Sequence, residues 1–387
     1  MNDQRTIDTI TEEASETATA GWKKPVGRRA FLASAAVAGA AAIPGSALLT
    51  STASAAGIFD NVITPGDVAI LRFLAAAELI EADLWQQYAE LGGVNGGNPA
   101  YQAALSNIDS DMPTYIQLNT NDEMSHAAFI NAYLESKGAQ PVNLDAFRRL
   151  PSSKATGAKQ IGRLTSLTSL DVDTSWYTRY RSSMNPDFGA TFEQAITISN
   201  QPAIPISDAD TPPNIAVPSP TTTPQQDRIQ VIACTAAFHF GFIESGGSSL
   251  YATMAPKVND AEVLRIVTSI GGTEDQHFAT WQDDAGNAAN APIAPVTDPE
   301  TGLTIPNLDA DPRGAAVQAN LIFPTPCEFI SPKLPNCAIV RPTDLQLGGA
   351  KAAVKAFTAD NLFTGQSQQF FNTLDQLAAE ADAAQPI

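Results

Sequence analysis

The sequence predicts an all-α fold, a four-helix bundle in which two antiparallel helix hairpins are joined by a long crossover. Three observations predict it. Four long segments carry apolar residues at helical spacing, the segments fall into two closely spaced pairs, and an irregular stretch of about residues 139–224 separates the pairs. Hydrophobic residues make up 44% of the 387-residue chain and charged residues 16%, so the chain can bury a substantial core.

The first pair of helices is predicted to form the N-terminal hairpin. Its first helix begins at Thr64-Pro65, an N-cap followed by proline at the first helical position, and ends at Gly92-Gly93. The second spans about residues 110–137 and ends at Gly138. The inward positions are Leu71, Leu74, Glu78, Glu81, Trp85 and Tyr88 on the first helix, and Ile116, Thr120, Glu123, His126, Ile130 and Tyr133 on the second.

The crossover is predicted to be largely irregular. Short helices are expected near residues 144–149, 176–183 and 192–198. Residues 201–224 form a loop rich in proline, serine and threonine. The crossover is therefore an insertion between the hairpins.

The second hairpin follows the crossover. Its first helix is predicted at about residues 226–253 and its second at about 259–288, with Pro256 between them. The inward positions are Ile229, Ala233, Ala236, Phe240, Glu244, Gly247 and Tyr251 on the former, and Val263, Val267, Ile270, Glu274, His277 and Trp281 on the latter.

The chain thus divides into three parts. Residues 1–55 form a cleaved signal peptide, residues 56–290 the bundle with its insertion, and residues 291–387 a proline-rich C-terminal extension that ends in a helix near 366–384. We expect that last helix to pack on the outside of the bundle.

The N-terminal segment resembles a twin-arginine signal peptide. The pair Arg28-Arg29 precedes a mildly hydrophobic, alanine-rich run that ends in the small-residue cleavage pattern Ala53-Ser54-Ala55. Gly27 departs from the Ser or Thr that usually precedes the arginine pair. The resemblance implies recognition by the twin-arginine export machinery, a periplasmic or secreted location, and no stable membrane span after cleavage.

Cysteine spacing agrees with an oxidising destination. Cys327 and Cys337 bracket a proline-rich loop and are predicted to form a disulfide, which would stabilise the chain by about 2–3 kcal/mol. The alternative is a pair of unpaired thiols in a cytoplasmic protein. Cys234 lies on an apolar helical face, where an inert buried residue is expected.

Charge and motifs exclude several classes of function. The formal net charge of −19 makes nucleic acid and anionic membranes poor partners. The sequence has no phosphate-binding glycine loop, no nucleophile elbow and no Cys-x-x-Cys pair, so it gives no support to a nucleotide, serine-hydrolase or zinc-ribbon site.

The inward stripes are interrupted by residues that bind metals. Each long helix carries a glutamate where an apolar residue is expected, and two helices add a histidine three residues later, which faces the same side. Six side chains from four helices could therefore hold two cations. The candidate ligands are Glu78, Glu123, His126, Glu244, Glu274 and His277.

This order of ligands resembles the di-iron carboxylate pattern of the ferritin-like superfamily. Within it, the sequences at 77–85 and 244–251 are similar to the bacterial proteins related to desiccation-associated proteins of plants and sexual-differentiation proteins of fungi. The resemblance covers the bundle and not the insertion or the C-terminal extension. It implies a ferritin-like four-helix bundle with two iron or two manganese ions, and it leaves a homo-oligomer possible.

Several neighbouring residues need separate interpretation. Glu81 is a rival to Glu78, one turn later, and is assigned with Trp85 and Tyr88 to the residues that surround the ligands. The ligand glutamates and Glu-x-x-His pairs could also be surface charges.

Three further polar residues are predicted to lie off the ligand face. His239 is about 140° from Glu244 around its helix, so we interpret it as a structural histidine. Asp122 and Asp275 each adjoin a candidate ligand and should point aside into solvent.

Two classes of function remain open. The first is an oxidoreductase of the ferroxidase, catalase or oxidase type, in which the metals react with dioxygen or a peroxide. The second is a non-catalytic protein that protects against stress or desiccation, or uses the metals structurally. Redox turnover distinguishes the two.

Overall fold

A computed structural model describes residues 63–179, 193–212, 223–317, 326–339 and 348–386. Within these ranges the chain is mostly helical, and the predicted all-α helical bundle is confirmed. The bundle consists of four long helices, α1 (Pro65–Gly92), α3 (Met112–Ser136), α5 (Pro224–Met254) and α6 (Ala261–Ala288). The shorter helices are α2 (Pro99–Ile108), α4 (Ser175–Arg179), α7 (Ala350–Ala359) and α8 (Gln368–Asp382).

The start of α1 is fixed by a capping box. The Thr64 side chain accepts a hydrogen bond from the Asp67 amide at 3.1 Å, and the Asp67 carboxylate accepts one from the Thr64 amide at 3.3 Å. The other oxygen of Asp67 accepts from the amide of Asn259, just before α6, at 2.9 Å. One carboxylate therefore caps α1 and also ties it to the second hairpin.

The long helices pair as predicted. α1 packs along α3, and α5 packs along α6. α8 lies against α1, α7 lies against α5, and α7 and α8 pack on each other, so the C-terminal helices cover the α1 and α5 side of the bundle. α3 and α6 meet over only a short stretch. A cleft lined by residues of both helices opens on that side.

Aromatic rings join three of the long helices. Trp85 of α1 stacks on Phe240 of α5 and on Trp281 of α6, with centroids 4.7 and 5.3 Å apart, and all three rings are fully buried. Such stacking adds about 0.5–1.5 kcal/mol per pair beyond the burial of apolar area. The rings hold the two hairpins together directly beside the interrupted stripes.

The insertion is anchored on the bundle by Trp176 of α4. A Cβ atom at Gly241 of α5 would lie 2.3 Å from the Trp176 ring, so only glycine lets the ring lie flat on α5. The indole nitrogen of Trp176 donates to the carbonyl of Phe238 at 3.2 Å. This packing explains why the sequence keeps a glycine within a helix.

The short helices predicted in the insertion are formed only in part. Residues 144–149 contain only a 3₁₀ turn, Asp145–Phe147. Of the helix predicted at 176–183, residues 176–179 belong to α4, and residues 180–183 lie outside the described residues. The helix predicted at 192–198 is wrong for the described part, 193–198. There the Thr174 hydroxyl binds both the amide and the carbonyl of Ile196, at 3.1 and 2.7 Å, and so replaces helical hydrogen bonds.

The C-terminal extension combines short strands with helices. Strands β1 (Val296–Thr297) and β2 (Thr304–Ile305) pair antiparallel, and α8 covers most of the helix predicted at 366–384. The sequence did not predict α2 or α7, which are only ten residues long. None of the helices in the described ranges has an apolar stretch that could cross a membrane.

The cysteines occupy two environments. Strands β3 (Pro326–Cys327) and β4 (Cys337–Ala338) pair antiparallel, with Cys327 directly opposite Cys337, and the exposed thiol of Cys337 is free. Cys234 is buried, and burial raises the pKa of its thiol to about 12, as expected for an inert residue. The predicted signal peptide, residues 1–55, lies outside the described residues.

A buried acid near the end of α6 carries no cationic partner in the described part of the chain. Asp284 is 3% exposed, and its Oδ2 atom has no hydrogen-bond donor there. Burial, followed by the charges of Asp109, Asp283 and Asp111, raises its pKa to about 8. The folded protein therefore holds a proton on Asp284 at neutral pH.

This proton makes stability depend on pH. Between the ordinary carboxyl pKa of about 4 and the raised value, the unfolded chain has lost the proton and the folded chain has not, so the free energy of unfolding falls as pH rises. Asp284→Asn should remove this dependence and raise Tm far more at about pH 8 than at about pH 5. Thermal melts at both pH values test this, with the exposed Asp375→Asn as control. An equal shift of Tm at both pH values for Asp284→Asn would contradict the assignment.

Candidate metal centre

The six predicted ligands project into one region of the bundle interior. α1 supplies Glu78, α3 supplies Glu123 and His126, α5 supplies Glu244, and α6 supplies Glu274 and His277. In the two Glu-x-x-His pairs, a spacing of three residues places both side chains on the same helix face. The four glutamates are at most 1% exposed.

The side chains form two overlapping groups, each of which could hold one metal ion. In each group the candidate ligand atoms lie within 4.8 Å of one another. Both groups contain Glu123 and Glu274. The first adds Glu78 and His126, and the second adds Glu244 and His277. The structure thus brings together all six residues that the sequence singled out.

Each histidine directs Nδ1 towards the carboxylates. Nδ1 of His126 lies 3.2 to 3.4 Å from an oxygen of Glu123, Glu78 and Glu274. Nδ1 of His277 lies 3.1 Å from Glu123 and 3.2 Å from Glu244. One ring nitrogen can donate at most one proton, so it cannot satisfy several carboxylates at once.

Some carboxylate oxygens lack a donor altogether. Oε2 of Glu274 is buried with no hydrogen-bond donor in the described part of the chain, and Oε2 of Glu78 and Oε1 of Glu274 have only the shared Nδ1 of His126 nearby. Buried carboxylate oxygens are costly without a donor or a cation. Four carboxylates carry a formal charge of −4, which two divalent cations would balance. The residues therefore fit a two-metal centre.

The pKa values of the cluster show the same cost of burying several carboxylates together. Burial, and then the charge of Glu123, raises the pKa of Glu274 well above its usual range. Burial and the charge of Glu244 raise the pKa of Glu123 to about 7. Burial alone would lower the pKa of His126, but its hydrogen bonds to Glu123, Glu274 and Glu78 raise it overall. Without cations, the carboxylates and imidazoles must share protons to remain buried.

Neighbouring side chains fix the orientation of the candidate ligands. Nδ2 of Asn119 donates to Glu123 at 2.8 Å and to Glu244 at 3.0 Å, and its Oδ1 accepts from the Trp281 indole at 2.7 Å. The Tyr251 hydroxyl donates to Oε1 of Glu78. These partners hold the carboxylates of Glu78, Glu123 and Glu244 in defined positions.

Asp122 was predicted to point aside into solvent, and this holds only in part. Its side chain is 49% exposed, but its Oδ2 lies 3.1 Å from Nε2 of His277. Asp122 is one residue before Glu123, about 100° around α3, and this direction faces α6. A carboxylate on the outer nitrogen of a ligand histidine fixes its ring and tautomer. Asp275 is exposed, as expected.

Of the three residues predicted to surround the ligands, Glu81 and Trp85 lie beside the cluster, whereas Tyr88 contacts His239. Glu81 is 3% exposed, and burial together with the charges of Glu274 and Glu78 raises its pKa well above the usual range, so it lies within the field of the cluster. Trp85 stacks over Trp281. The Tyr88 hydroxyl instead bonds Nδ1 of His239 at 2.7 Å.

His239 is held away from the cluster. Its Nδ1 binds Tyr88, and its Nε2 lies 2.9 Å from Oδ2 of Asp360, which precedes α8. All three side chains are at most 1% exposed. His239 therefore links α1 and α5 to the C-terminal extension, as a structural histidine does.

Gly247 of α5 gives Glu274 its space. A Cβ atom at this position would lie 2.5 Å from Oε2 of Glu274. Real Cβ atoms do not approach oxygen so closely, so the carboxylate occupies a place that only glycine leaves open. The sequence indicated only that Gly247 lies on the inward stripe.

One comparison with known proteins gave a match. A family model described as a ferritin-like domain matches residues 66–287, which is more than half of the chain and includes all six candidate ligands. No curated protein and no solved structure matches the chain significantly.

The position of Gly247 gives a test of the cluster. Gly247→Ala should push the Glu274 carboxylate aside, lower the Tm of the metal-free protein by overpacking, and reduce the metal bound per chain. Gly272→Ala is the matched control, because a Cβ there would meet nothing within 4 Å. The control should raise stability by up to about 1 kcal/mol and leave metal content unchanged. Thermal melts and elemental analysis decide, and equal behaviour of the two variants would contradict the close contact.

Proposed function

The chain belongs to the ferritin-like domain family, and from that premise we propose that it is an exported protein that binds two iron or two manganese ions. We propose further that the metals carry out redox chemistry with dioxygen or a peroxide. The observation that carries the proposal is the set of buried carboxylate oxygens that lack hydrogen-bond donors beside two imidazoles. Mixed nitrogen and oxygen ligands suit iron or manganese better than structural zinc.

The ligand roles follow from membership of the two groups. Glu123 and Glu274 belong to both groups and would help to hold both ions. Glu78 and Glu244 would each bind one ion, as would His126 and His277. Bound in their reduced state, such ions would supply the electrons that reduce dioxygen or peroxide and would themselves be oxidised.

The surrounding residues of the chain would hold this centre in place. Asn119 orients Glu123 and Glu244, and Asp122 orients the ring of His277. The buried rings of Trp85 and Trp281 exclude water from one side of the cluster. Glu81, a further buried carboxylate with a raised pKa, can hold a proton near the ligands.

The alternative is a non-catalytic protein that protects against stress or desiccation. The segments 77–85 and 244–251, which resemble proteins related to desiccation-associated proteins, favour it. In that case the metals, or the bundle alone, serve stability. This alternative and the enzyme share the same ligands and differ in turnover.

Elemental analysis of the purified protein tests the centre. We expect about two irons or manganeses per chain, because the cluster offers two ligand groups. Glu123→Ala and Glu274→Ala should each lose the metal, since each residue belongs to both groups. Glu135→Ala, an exposed glutamate on the same helix as Glu123, should retain it.

Two results would count against the proposal. A wild-type protein without stoichiometric metal would exclude the two-metal centre. A fully loaded protein that consumes neither dioxygen nor peroxide would exclude the redox function and favour the protective one.

Export and the disulfide have a common test. The paired strands place Cys327 directly opposite Cys337, and the N-terminal segment resembles a signal peptide, so we propose that the exported chain begins after Ala55 and carries this bond. The intact mass of the exported protein should lack the first 55 residues and increase by two hydrogens on reduction. A full-length mass in the cytoplasm, or no change on reduction, would exclude export or the bond respectively.

A further inference from the structure

A cleft lined by residues of α3 and α6 opens between these two helices. It has a volume of about 170 Å³. At its rim lie Leu118, which is 43% exposed, and Asp122, whose side chain is 49% exposed. Its floor is formed by the buried side chains of Asn119 and Trp281 and by His277, whose side chain is 11% exposed.

The floor of the cleft borders the second ligand group. Nδ1 of His277 faces Glu123 and Glu244, and Nδ2 of Asn119 donates to the same two glutamates. Asn119 and His277 therefore line the cleft and also contact the carboxylates.

The opposite side of the bundle, formed by α1 and α5, is covered by other described helices. The C-terminal helices α7 and α8 cover α1 and α5. Beneath them the rings of Trp85 and Phe240 stack 4.7 Å apart, and the Tyr251 hydroxyl is bonded to Glu78. Towards the end of α3, Glu262 of α6 binds both Tyr133 and Lys137, at 2.9 and 3.0 Å, and joins the two helices there.

We propose that this cleft is the access port of the metal centre, that it admits hydrated divalent cations, and that Asp122 is the first carboxylate to bind them. The inference rests on the proposed two-metal function. Asp122 suits the role because its carboxylate is half exposed and touches His277, so a cation held there is one side chain from its ligands. A carboxylate at the mouth of a cleft also raises the local concentration of cations.

The size of the cleft limits what can pass. At about 30 Å³ per water molecule, the cleft holds five or six waters, which suits a partly hydrated ion or a peroxide. Pockets for organic ligands usually have volumes of about 300–1,000 Å³. The port therefore excludes bulky organic substrates.

Rates of metal binding test the port separately from the centre. A port sets how fast ions enter and leave and does not change the final complex, so narrowing it should slow association and dissociation by the same factor. Leu118→Trp should slow both for Co²⁺ added to the metal-free protein, by at least about tenfold, with Kd within about threefold. Leu118→Ala should accelerate both. Stopped-flow absorbance measures association, and chelator competition measures dissociation.

Matched controls are available on the neighbouring helix. Leu264 of α6 is 41% exposed, an exposed fraction similar to that of Leu118. It lies ten residues before Glu274. Leu264→Trp and Leu264→Ala should leave both rates unchanged. Thermal melts confirm that each variant is folded, and the two Leu118 variants must shift the rates in opposite directions.

The role of Asp122 is tested by the association rate and its dependence on ionic strength. Asp122→Asn should lower the association rate and weaken its dependence on ionic strength, because a carboxylate that attracts cations has been removed. Glu135→Gln removes the same charge from an exposed site on α3 and should change neither.

The outcomes separate the two proposals. Unchanged rates in both Leu118 variants, with normal metal content, would exclude the port and leave the centre intact. A change in Kd with only one rate altered would show that Leu118 acts on the bound state, and would also overturn the port. A wild-type protein that binds no Co²⁺ would overturn the proposed function and the port together.

Discussion

The structure depends on the burial of four glutamates in the interior of one helical bundle. An unpaired carboxylate in an apolar core is costly, and here four occur together within reach of two imidazoles. The cluster is compatible with a stable fold only if protons or cations neutralise it. The raised pKa values of Glu123 and Glu274 show the first solution, and two divalent cations would provide the second.

The rest of the fold holds these groups against one another. The two hairpins are joined at one end by Asp67, which caps α1 and binds the amide of Asn259, and beside the cluster by the stacked rings of Trp85, Phe240 and Trp281. The C-terminal helices cover α1 and α5 and are tied to them through His239. The α3 and α6 side instead carries the cleft at which the interior approaches solvent.

The sequence predicted well which side chains converge in the bundle interior, because their signal is local. A glutamate within an apolar stripe, and a histidine three residues later, can be recognised from helical spacing alone. The long helices were predicted within a few residues for the same reason, since their caps, such as Thr64-Pro65, lie at their own ends.

What the sequence did not predict depends on contacts between distant segments. Asp122 appeared to be a solvated neighbour of Glu123, since only the packing of α3 on α6 brings it to His277. Gly247 was predicted only to lie on the inward stripe, since its close approach to the Glu274 carboxylate depends on the packing of α5 on α6. The helix expected at 192–198 fails because Thr174, from another part of the insertion, binds the backbone of Ile196. At these positions contacts between distant segments override local propensity.

The two candidate metal positions have the same types of ligand but differ in their surroundings. Glu78 is bound by a buried tyrosine, whereas His277 is bound by a half-exposed aspartate beside a cleft. Each hairpin supplies one Glu and one Glu-x-x-His pair, but the two metal positions are not therefore equivalent. The residues that contact the candidate ligands, and the access of each position to water, come from parts of the chain that do not repeat.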